Sequence, residues 1–184
     1  MLKKFQLKNT SKYLVRLLLL AGLNPMLSSQ IARSEASTPT EISISVLGQS
    51  KFEGSVLDLK KILAPETIKL IEPQIEAERS YQAFDFKKLM TSLKASDWAQ
   101  VKTLKITCLD GYTPVVLVSE LKKGQPFLAF ASADKNAFEF QKNGHPVNYG
   151  PLYLVWTQKM TAIQRKLHLN AGNWPYQISK MSFE

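Results

Sequence analysis

A tight chain reversal at Asp110-Gly111 constrains the fold more than any other feature of this sequence. The strand-like run 106–109 precedes it, and the apolar run 115–118 follows shortly after. Because Asp-Gly adopts positive φ at little cost, the pattern predicts two antiparallel strands joined by a hairpin turn. A second glycine-centred stretch, residues 148–156, also contains an apolar run. We therefore expect a sheet protein in which these two stretches carry the fold and any ligand site.

Residues 1–36 have the layout of a secretory signal peptide. Basic residues open the segment, residues 14–23 supply a short apolar run, and Ser34-Glu35-Ala36 has a small-x-small cleavage pattern. Arg16 interrupts the apolar run, which is short for a bilayer, and this favours a cleaved leader over a retained anchor. We predict export to the periplasm, with a single domain over residues 37–184.

The charge balance of the remaining chain does not point to nucleic acid. The full chain has 24 Lys+Arg and 15 Asp+Glu, a formal net charge of +9, but residues 1–36 hold six basic residues and one acid. The remainder therefore carries +4, with its basic residues scattered or in pairs such as Lys87-Lys88 and Lys122-Lys123. Such spacing is typical of solvated faces and not of a stripe that follows phosphates. A nucleic-acid partner is not expected.

Cysteine and histidine usage argues against a metal site. Cys108 is the only cysteine, which excludes an intramolecular disulfide and a cysteine-rich metal site. It lies between Ile106 and Leu109 in a strand-like context, which favours a buried packing residue over a reactive nucleophile. His145 and His168 are far apart in sequence with no third ligand nearby, so we predict no metal site. No Ser-His-Asp or Cys-His set is suggested by spacing either.

Hydrophobic periodicity predicts an α+β domain. Strand patterns cover residues 41–46, 67–71, 74–77, 101–109, 115–118, 126–131, 138–140, 152–156 and 174–183. Helix patterns cover residues 55–63, with Ser55 as N-cap, 85–93, with Asp85 at the start, and the short turn 119–124. Residues 48–54 are expected to form a turn region, and residues 160–169 a helix or a loop. Since the run 126–131 is apolar throughout, we expect it to be buried on both faces. The fold class is α+β, a mixed, barrel-like sheet core with two or three short helices.

The order of these elements resembles the molybdopterin-binding domain of the sulfite oxidase family. The resemblance covers residues 41–184 and depends on an ordered set of short motifs. These are the helix 56–63, the segment 81–89, the Asp110-Gly111-Tyr112 turn, Phe127-Leu128-Ala129, the strand Gly150-Pro151-Leu152-Tyr153-Leu154-Val155, and Trp174-x-x-Gln177-Ile178-x-x-Met181. It implies a sulfite oxidase-like fold for the whole of the predicted domain.

The ligands of the family's molybdenum cofactor are missing from the matching positions. Family enzymes bind molybdenum through a cysteine in the first half of the domain, whereas Cys108 directly precedes the Asp-Gly-Tyr turn. A soft thiolate is not readily replaced by an oxygen ligand. The family's phosphate clamp, His-Gly-x-Pro-x-Arg, aligns on Pro151 with Asn148 in place of His and Tyr153 in place of Arg, and Pro175 matches a further Lys. We predict no catalytic residue and no molybdenum cofactor.

The resemblance is instead to the small exported, metal-free branch of the family. Members of this branch are thought to bind a free pterin and to report to membrane-bound diguanylate cyclases or histidine kinases. A flat pterin ring needs an aromatic face and a polar edge. The candidate ligand-binding residues are Asp110, Tyr112, Asn148, Tyr149, Gly150, Tyr153, Trp156 and Trp174.

Simpler interpretations of the same residues stay open. Asp110-Gly111 is more often only a turn, and Tyr153 and Trp156 point to opposite faces of a strand, so at least one of them belongs to the core. The alternative functions are a molybdopterin-dependent oxidoreductase subunit and a protein–protein adaptor with a vestigial pocket. The adaptor is favoured if side chains such as Phe138 and Trp156 fill that pocket.

Overall fold

Two β-sheets, a β-hairpin and three short α-helices form the fold in the computed structural model, which describes residues 40–157 and 174–184. All of these residues belong to one unit, Ser37–Glu184. The strands are β1 (Ile42–Val46), β2 (Gln49–Gly54), β3 (Glu66–Glu72), β4 (Ala77–Asp85), β5 (Thr103–Cys108), β6 (Val115–Leu117), β7 (Pro126–Ser132), β8 (Glu139–Lys142), β9 (His145–Asn148), β10 (Tyr153–Trp156) and β11 (Ile178–Phe183). The helices are α1 (Val56–Ile62), α2 (Phe86–Ser92) and α3 (Val118–Lys123), with a 3₁₀-helix at Ser96–Gln100. The predicted α+β class is confirmed.

The larger sheet is mixed, as the sequence predicts. Its strand order is β2-β1-β11-β5-β6, in which β1 and β11 are parallel and the other neighbours are antiparallel. The smaller sheet has the antiparallel order β10-β7-β4-β3, and β8 pairs with β9 in a separate hairpin. One sheet curls into a half-barrel. In the interior of the larger sheet β1 pairs with β11, so the first and last of these strands are neighbours.

The two predicted helices begin at side-chain caps. Ser55 and Asp58 form a capping box at α1, in which the Ser55 N–H donates to Asp58 Oδ2 at 3.0 Å and the Asp58 N–H donates to Ser55 Oγ at 3.4 Å. Asp85 caps α2 by accepting the Lys88 N–H at 2.9 Å. Such side chains pair N–H groups that the helix itself leaves unpaired. Both helices, and the short α3, are predicted correctly.

The smaller sheet separates two hydrophobic clusters. Phe84, Leu128 and Leu154 are cross-strand neighbours that face the larger sheet, whereas the intervening residues Ala83 and Tyr153 face an aromatic cluster. Because successive side chains of a strand point to opposite faces, the central strand β7 is buried on both sides, whereas the edge strand β3 exposes one face. The prediction that residues 126–131 are buried on both faces is therefore confirmed for the central strand β7.

Two local predictions are wrong. Residues 49–54, expected to be a turn region, form the edge strand β2, in which Phe52 is the buried side chain and its neighbours are polar because they face solvent. Residues 74–76, expected to begin a strand, are the turn of the β3–β4 hairpin. There the Ile75 N–H donates to the Glu72 carbonyl and Glu76 has a φ of 52°. Apolar periodicity cannot distinguish a turn residue such as Ile75 from a strand residue.

The predicted helix or loop at residues 160–169 falls outside the described residues. In the part of the chain that the structure describes, no helix is long and apolar enough to cross a membrane.

Candidate functional site

The predicted ligand-binding residues fall into two groups in the structure. Asn148 and Gly150 line an open cleft, and Asp110 and Tyr112 lie exposed in the turn next to Leu109, which also lines it. The other four belong to or pack against the aromatic cluster behind the smaller sheet, namely Tyr149, Tyr153, Trp156 and Trp174. The fold thus separates the predicted polar residues, together with Tyr112, from the other four predicted aromatic residues.

The cleft has a volume of about 440 Å³. It lies between the start of α1, the β5–β6 turn and the loop that follows β9. Its lining residues are Thr40, Ser55, Val56, Leu57, Leu109, Asn148, Gly150, Pro151 and Gln177. Four of these are apolar and none is ionisable, so the lining combines hydrophobic contact with neutral hydrogen-bonding groups. Clefts of this size hold small organic ligands in other proteins.

Hydrogen bonds hold Asn148 and Gln177 in the wall of the cleft. Asn148 Oδ1 accepts the Gly150 N–H at 2.6 Å, and the Asn148 carbonyl accepts Gln177 Nε2 at 3.0 Å. The Gln177 backbone donates to the Tyr149 carbonyl at 2.8 Å and accepts the Leu109 N–H at 2.9 Å. These bonds tie the β9–β10 loop, which contains a cis Gly150-Pro151 bond, to the β5–β6 turn. No hydrogen bond between the described residues uses Asn148 Nδ2 or Gln177 Oε1.

Asp110 and Gly111 build the turn that the sequence predicts. The Asp110 carboxylate accepts the Tyr112 N–H at 3.0 Å, and the Gly111 N–H donates to the Cys108 carbonyl at 3.0 Å. Gly111 has a φ of 85°, which glycine adopts without the steric cost of a side chain. The described contacts of Asp110 are therefore those of a turn residue, and Tyr112, 48% exposed, points its ring to the surface.

Cys108 is buried, as predicted, with 4% of its surface exposed. Burial, together with the nearby Asp110 carboxylate, raises the pKa of its thiol to about 11. Because the thiolate is the nucleophilic and metal-binding form, this site disfavours both reactions at neutral pH. Among the described residues, no group of three or more His, Cys, Asp or Glu side chains is arranged to hold a metal ion.

The aromatic cluster is packed by its own side chains. The Tyr149 ring stacks on Tyr153 with a centroid distance of 4.4 Å and an interplanar angle of 4°, and on Phe140 at 5.1 Å and 18°. Phe138 and Trp174 contact the same pair from the sides. Tyr149, Tyr153 and Trp174 are buried, so in this arrangement other rings cover the faces that the sequence assigns to a ligand.

A buried carboxylate that sequence reasoning missed lies inside this cluster. Glu72 is fully buried, and its Oε2 accepts the Tyr81 hydroxyl at 2.8 Å while its Oε1 accepts the Tyr153 hydroxyl at 2.7 Å and the Gln74 N–H at 3.2 Å. The alternation of β3 contains the signal, because Glu72 follows Ile68 and Leu70 on the inward face. Burying a carboxylate is costly unless it is hydrogen-bonded, and here both oxygens are.

The tyrosines around Glu72 share a perturbed environment. Burial, and then the charge of Glu72, raises the pKa of Tyr81, Tyr149 and Tyr153 above the ordinary tyrosine value. The Tyr149 hydroxyl is buried and has no hydrogen-bond partner among the described residues. It therefore differs from the hydroxyls of Tyr81 and Tyr153, which both donate to the carboxylate.

Arg79, on the other side of Tyr81, is engaged in structural contacts. Its Nε donates to Asp134 Oδ2 at 3.3 Å and its Nη2 donates to the Ala137 carbonyl at 2.7 Å. Burial opposes ionisation of Asp134, but hydrogen bonds from Ser132 and from backbone N–H groups outweigh it and hold the pKa of this carboxyl below its usual value. This partly buried pair ties the loop after β7 to β4, and Arg79 does not line the cleft.

Comparisons of the sequence with models of known protein families and with curated proteins find no match. The geometry of the cleft and of the aromatic cluster is therefore the basis for assigning a function.

Proposed function

We propose that this chain is a non-catalytic binding module whose cleft takes a flat, uncharged heterocycle with an amide-like edge, such as a free pterin. The observation that carries the proposal is a cleft lined by apolar walls and two carboxamides, with no ionisable side chain among the described residues that line it. A module without general acids or bases in its lining offers binding but no proton transfer. The resemblance of the sequence to the exported, metal-free branch of the sulfite oxidase-like family supports the same ligand class.

The chemistry of the pterin edge matches that of the two carboxamides. A pterin carries a carbonyl, a ring N–H and an exocyclic amino group side by side, which present one hydrogen-bond acceptor followed by two donors. Asn148 Nδ2 can donate to the carbonyl and Gln177 Oε1 can accept from the N–H groups. Leu57 and Leu109, 60% and 54% exposed, supply apolar surface for the ring. In this proposal the pterin ring packs against these two leucines and not against the tyrosine rings that the sequence predicts.

Calorimetric titration of the purified chain with biopterin tests the proposal. We expect saturable binding to the wild-type chain and binding about fivefold weaker to Asn148→Asp, because loss of one hydrogen bond costs about 1 kcal/mol. The Asp variant keeps the oxygen that accepts the Gly150 N–H and replaces only the donor. Gln141→Ala, a carboxamide change on β8 outside the cleft lining, is the matched control. No heat of binding to the wild-type chain, or equal affinities for wild type and Asn148→Asp, would contradict the proposal.

The regulatory part of the proposal concerns a membrane partner. We propose that the exported module acts on the periplasmic domain of a membrane-bound diguanylate cyclase or histidine kinase, as the family resemblance implies. The expected result is co-purification of such an enzyme with the chain, in an amount that changes when a pterin is added. If the amount of co-purified enzyme does not change when a pterin is added, the chain binds this partner but does not respond to the ligand.

One observation favours a second candidate, the protein–protein adaptor with a vestigial pocket. The rings of Phe138, Phe140 and Trp174 pack against Tyr149 and Tyr153, so side chains fill the place of the predicted aromatic site. An adaptor of this kind would bind its partner with unchanged affinity whether or not a pterin is present.

The residues present do not fit the third candidate, a molybdopterin-dependent oxidoreductase subunit. Within residues 40–157 and 174–184, the cleft lining contains no lysine, arginine or histidine to bind the cofactor's phosphate, and Cys108 is buried with a raised pKa. Elemental analysis of the purified chain tests this candidate, which would need molybdenum in near-stoichiometric amount.

A further inference from the structure

The edge strand β6 differs from the other edges of the two sheets in the described chain. Its outward side chains, Val115 and Leu117, are apolar and 58% and 50% exposed. At β3 a single apolar side chain, Ile71, is exposed, and its neighbours include charged residues that form ion pairs, such as Lys69 with Glu78; at β2 the exposed positions are polar. Proteins usually protect edges with charges because an open apolar edge pairs with other strands. An apolar edge of this kind marks a place for a binding partner.

The outer edge of β10, in contrast, is occupied. Its residue Leu154 donates its N–H to the Pro175 carbonyl at 3.0 Å. The segment that leads to β11 therefore covers this edge.

The hydrogen bonds of β6 show which backbone groups are directed outward. The Ile106 N–H donates to the Pro114 carbonyl, and the Val118 N–H donates to the Lys102 carbonyl, both at 2.9 Å. Because backbone groups alternate along a strand, Val116 also faces β5, whereas the N–H and C=O groups of Val115 and Leu117 point away from the sheet. Two residues with outward donors and acceptors are the template for strand addition.

Lysines lie beside β6 in the sheet and shortly after it in the chain. Lys105 lies directly opposite Val115 in the register of β5 and β6. Lys102 lies at the other end of this strand pair, where its carbonyl accepts the Val118 N–H. Lys122 and Lys123 end α3, which starts immediately after β6. All four are exposed, and none forms an ion pair with another described residue. Two copies of this chain paired through β6 would join two surfaces that both carry unpaired lysines, and like-charge repulsion disfavours a homodimer at this edge.

We propose that β6 is the docking edge for an extended, acid-flanked segment of a partner protein, which adds to the larger sheet as a sixth strand. Apolar side chains of the segment pack beside Val115 and Leu117, and acidic residues at its ends meet the lysines. The outward groups of a three-residue edge are few, which suits a transient regulatory contact more than a permanent complex.

The position of β6 connects this edge with the cleft. Leu109 lines the cleft and belongs to the same β5–β6 connection that leads into β6. The inference deepens the regulatory part of the proposed function and rests on it, since it names the surface and the kind of partner. A ligand that contacts Leu109 would act at one end of the connection and the partner segment at the other.

Selection of a random peptide library displayed on phage against the full chain tests this proposal. We expect enriched peptides with alternating apolar residues and Asp or Glu at the flanks. Their binding should protect the Val115 and Leu117 amides from hydrogen exchange. Val115→Pro should weaken binding at least tenfold, because it removes an outward N–H and no bond to β5, and proline is tolerated at such edge positions. Lys105→Glu should weaken the binding of peptides with acidic flanks and leave the binding of peptides without them unchanged.

Two further variants keep the test decisive. Leu117→Thr retains strand propensity and serves if Val115→Pro fails to fold, and it should also weaken binding. Ile71→Thr, at a residue 62% exposed on the edge strand β3, is the matched control and should leave binding unchanged. No enriched class, equal binding to wild type and the β6 variants, or a homodimer in sedimentation that Val115→Pro dissociates would overturn the proposal.

The same variants separate docking from ligand binding. We expect Val115→Pro to bind biopterin as the wild-type chain does, because its N–H lies on the outer edge of the sheet. Failure of peptide binding with normal biopterin binding refutes the docking edge alone. The reverse result, normal peptide binding without biopterin binding, supports the docking edge and refutes the ligand part of the proposed function.

Discussion

Two stacked, buried tyrosines whose hydroxyls differ in hydrogen bonding provide a sharp test of the buried cluster. The rings of Tyr149 and Tyr153 are parallel and 4.4 Å apart, and both residues are fully buried. The Tyr153 hydroxyl donates to Glu72 at 2.7 Å, whereas the Tyr149 hydroxyl has no partner among the described residues. Substitution of either tyrosine by phenylalanine removes one oxygen and keeps the ring contacts.

The expected changes in stability have opposite signs. Tyr153→Phe removes a hydrogen bond to a charged group, for which about 2 kcal/mol is typical. The loss is limited because the same oxygen of Glu72 still accepts the Gln74 N–H. Tyr149→Phe removes a buried hydroxyl that lies near Tyr81 and Glu72 but makes no well-formed hydrogen bond to a described residue, so we expect stabilisation by about 1 kcal/mol. The two variants should therefore differ by roughly 3 kcal/mol in the free energy of unfolding.

Urea unfolding followed by tryptophan fluorescence measures both changes, with equal m-values as the check that the same surface is exposed. Tyr81→Phe should resemble Tyr153→Phe, because its hydroxyl donates to Glu72 at 2.8 Å. Equal destabilisation by Tyr149→Phe and Tyr153→Phe would refute the reasoning. It would mean that the Tyr149 hydroxyl is hydrogen-bonded in solution.

Two further predictions concern pH and helix capping. In the folded state Tyr81, Tyr149 and Tyr153 keep their protons above the pKa of an unfolded tyrosine. The free energy of unfolding therefore keeps its full value below about pH 10 and falls above it, by about 1.4 kcal/mol per pH unit for each tyrosine. Unfolding measured across alkaline pH, with tyrosinate absorbance, checks this; ordinary titration of all tyrosines in a folded chain would contradict it. Asp85→Ala should lower the free energy of unfolding by about 1 kcal/mol and Asp85→Asn by much less, because Asn also caps helices. Equal losses in thermal or urea unfolding would show that the cap hydrogen bond is not the cause.

The helices and the class of the fold were predictable because their signals are local. Ser55 and Asp58 are three residues apart, which is the spacing of a capping box, and Asp85 precedes an apolar helical face. The buried strand β7 was predictable for a similar reason, since an uninterrupted apolar run requires cover on both sides. Asp110-Gly111 forms the expected turn through its own backbone and side-chain preferences.

The candidate site was less predictable, because it depends on contacts between segments far apart in the chain. Asn148 and Gly150 were expected to bind a ligand together with Tyr149 and Tyr153. Strand alternation and the path of the β9–β10 loop instead separate them into a cleft and a packed cluster. The sequence pattern shows that these residues are aromatic or polar, but not which rings cover one another.

The sequence by itself determined the α+β class, the helix caps, the tight turn and the burial of Cys108, since short-range stereochemistry and hydrophobic alternation decide these features. Only the tertiary structure decided that Glu72 receives two tyrosine hydroxyls and that Leu109 and Gln177 share a cleft with Asn148. It also decided that β6 is an apolar edge, because an edge is defined by the absence of a neighbouring strand in the described sheet. Which groups meet in space depends on sheet order and register, and neither is encoded in a single stretch of sequence.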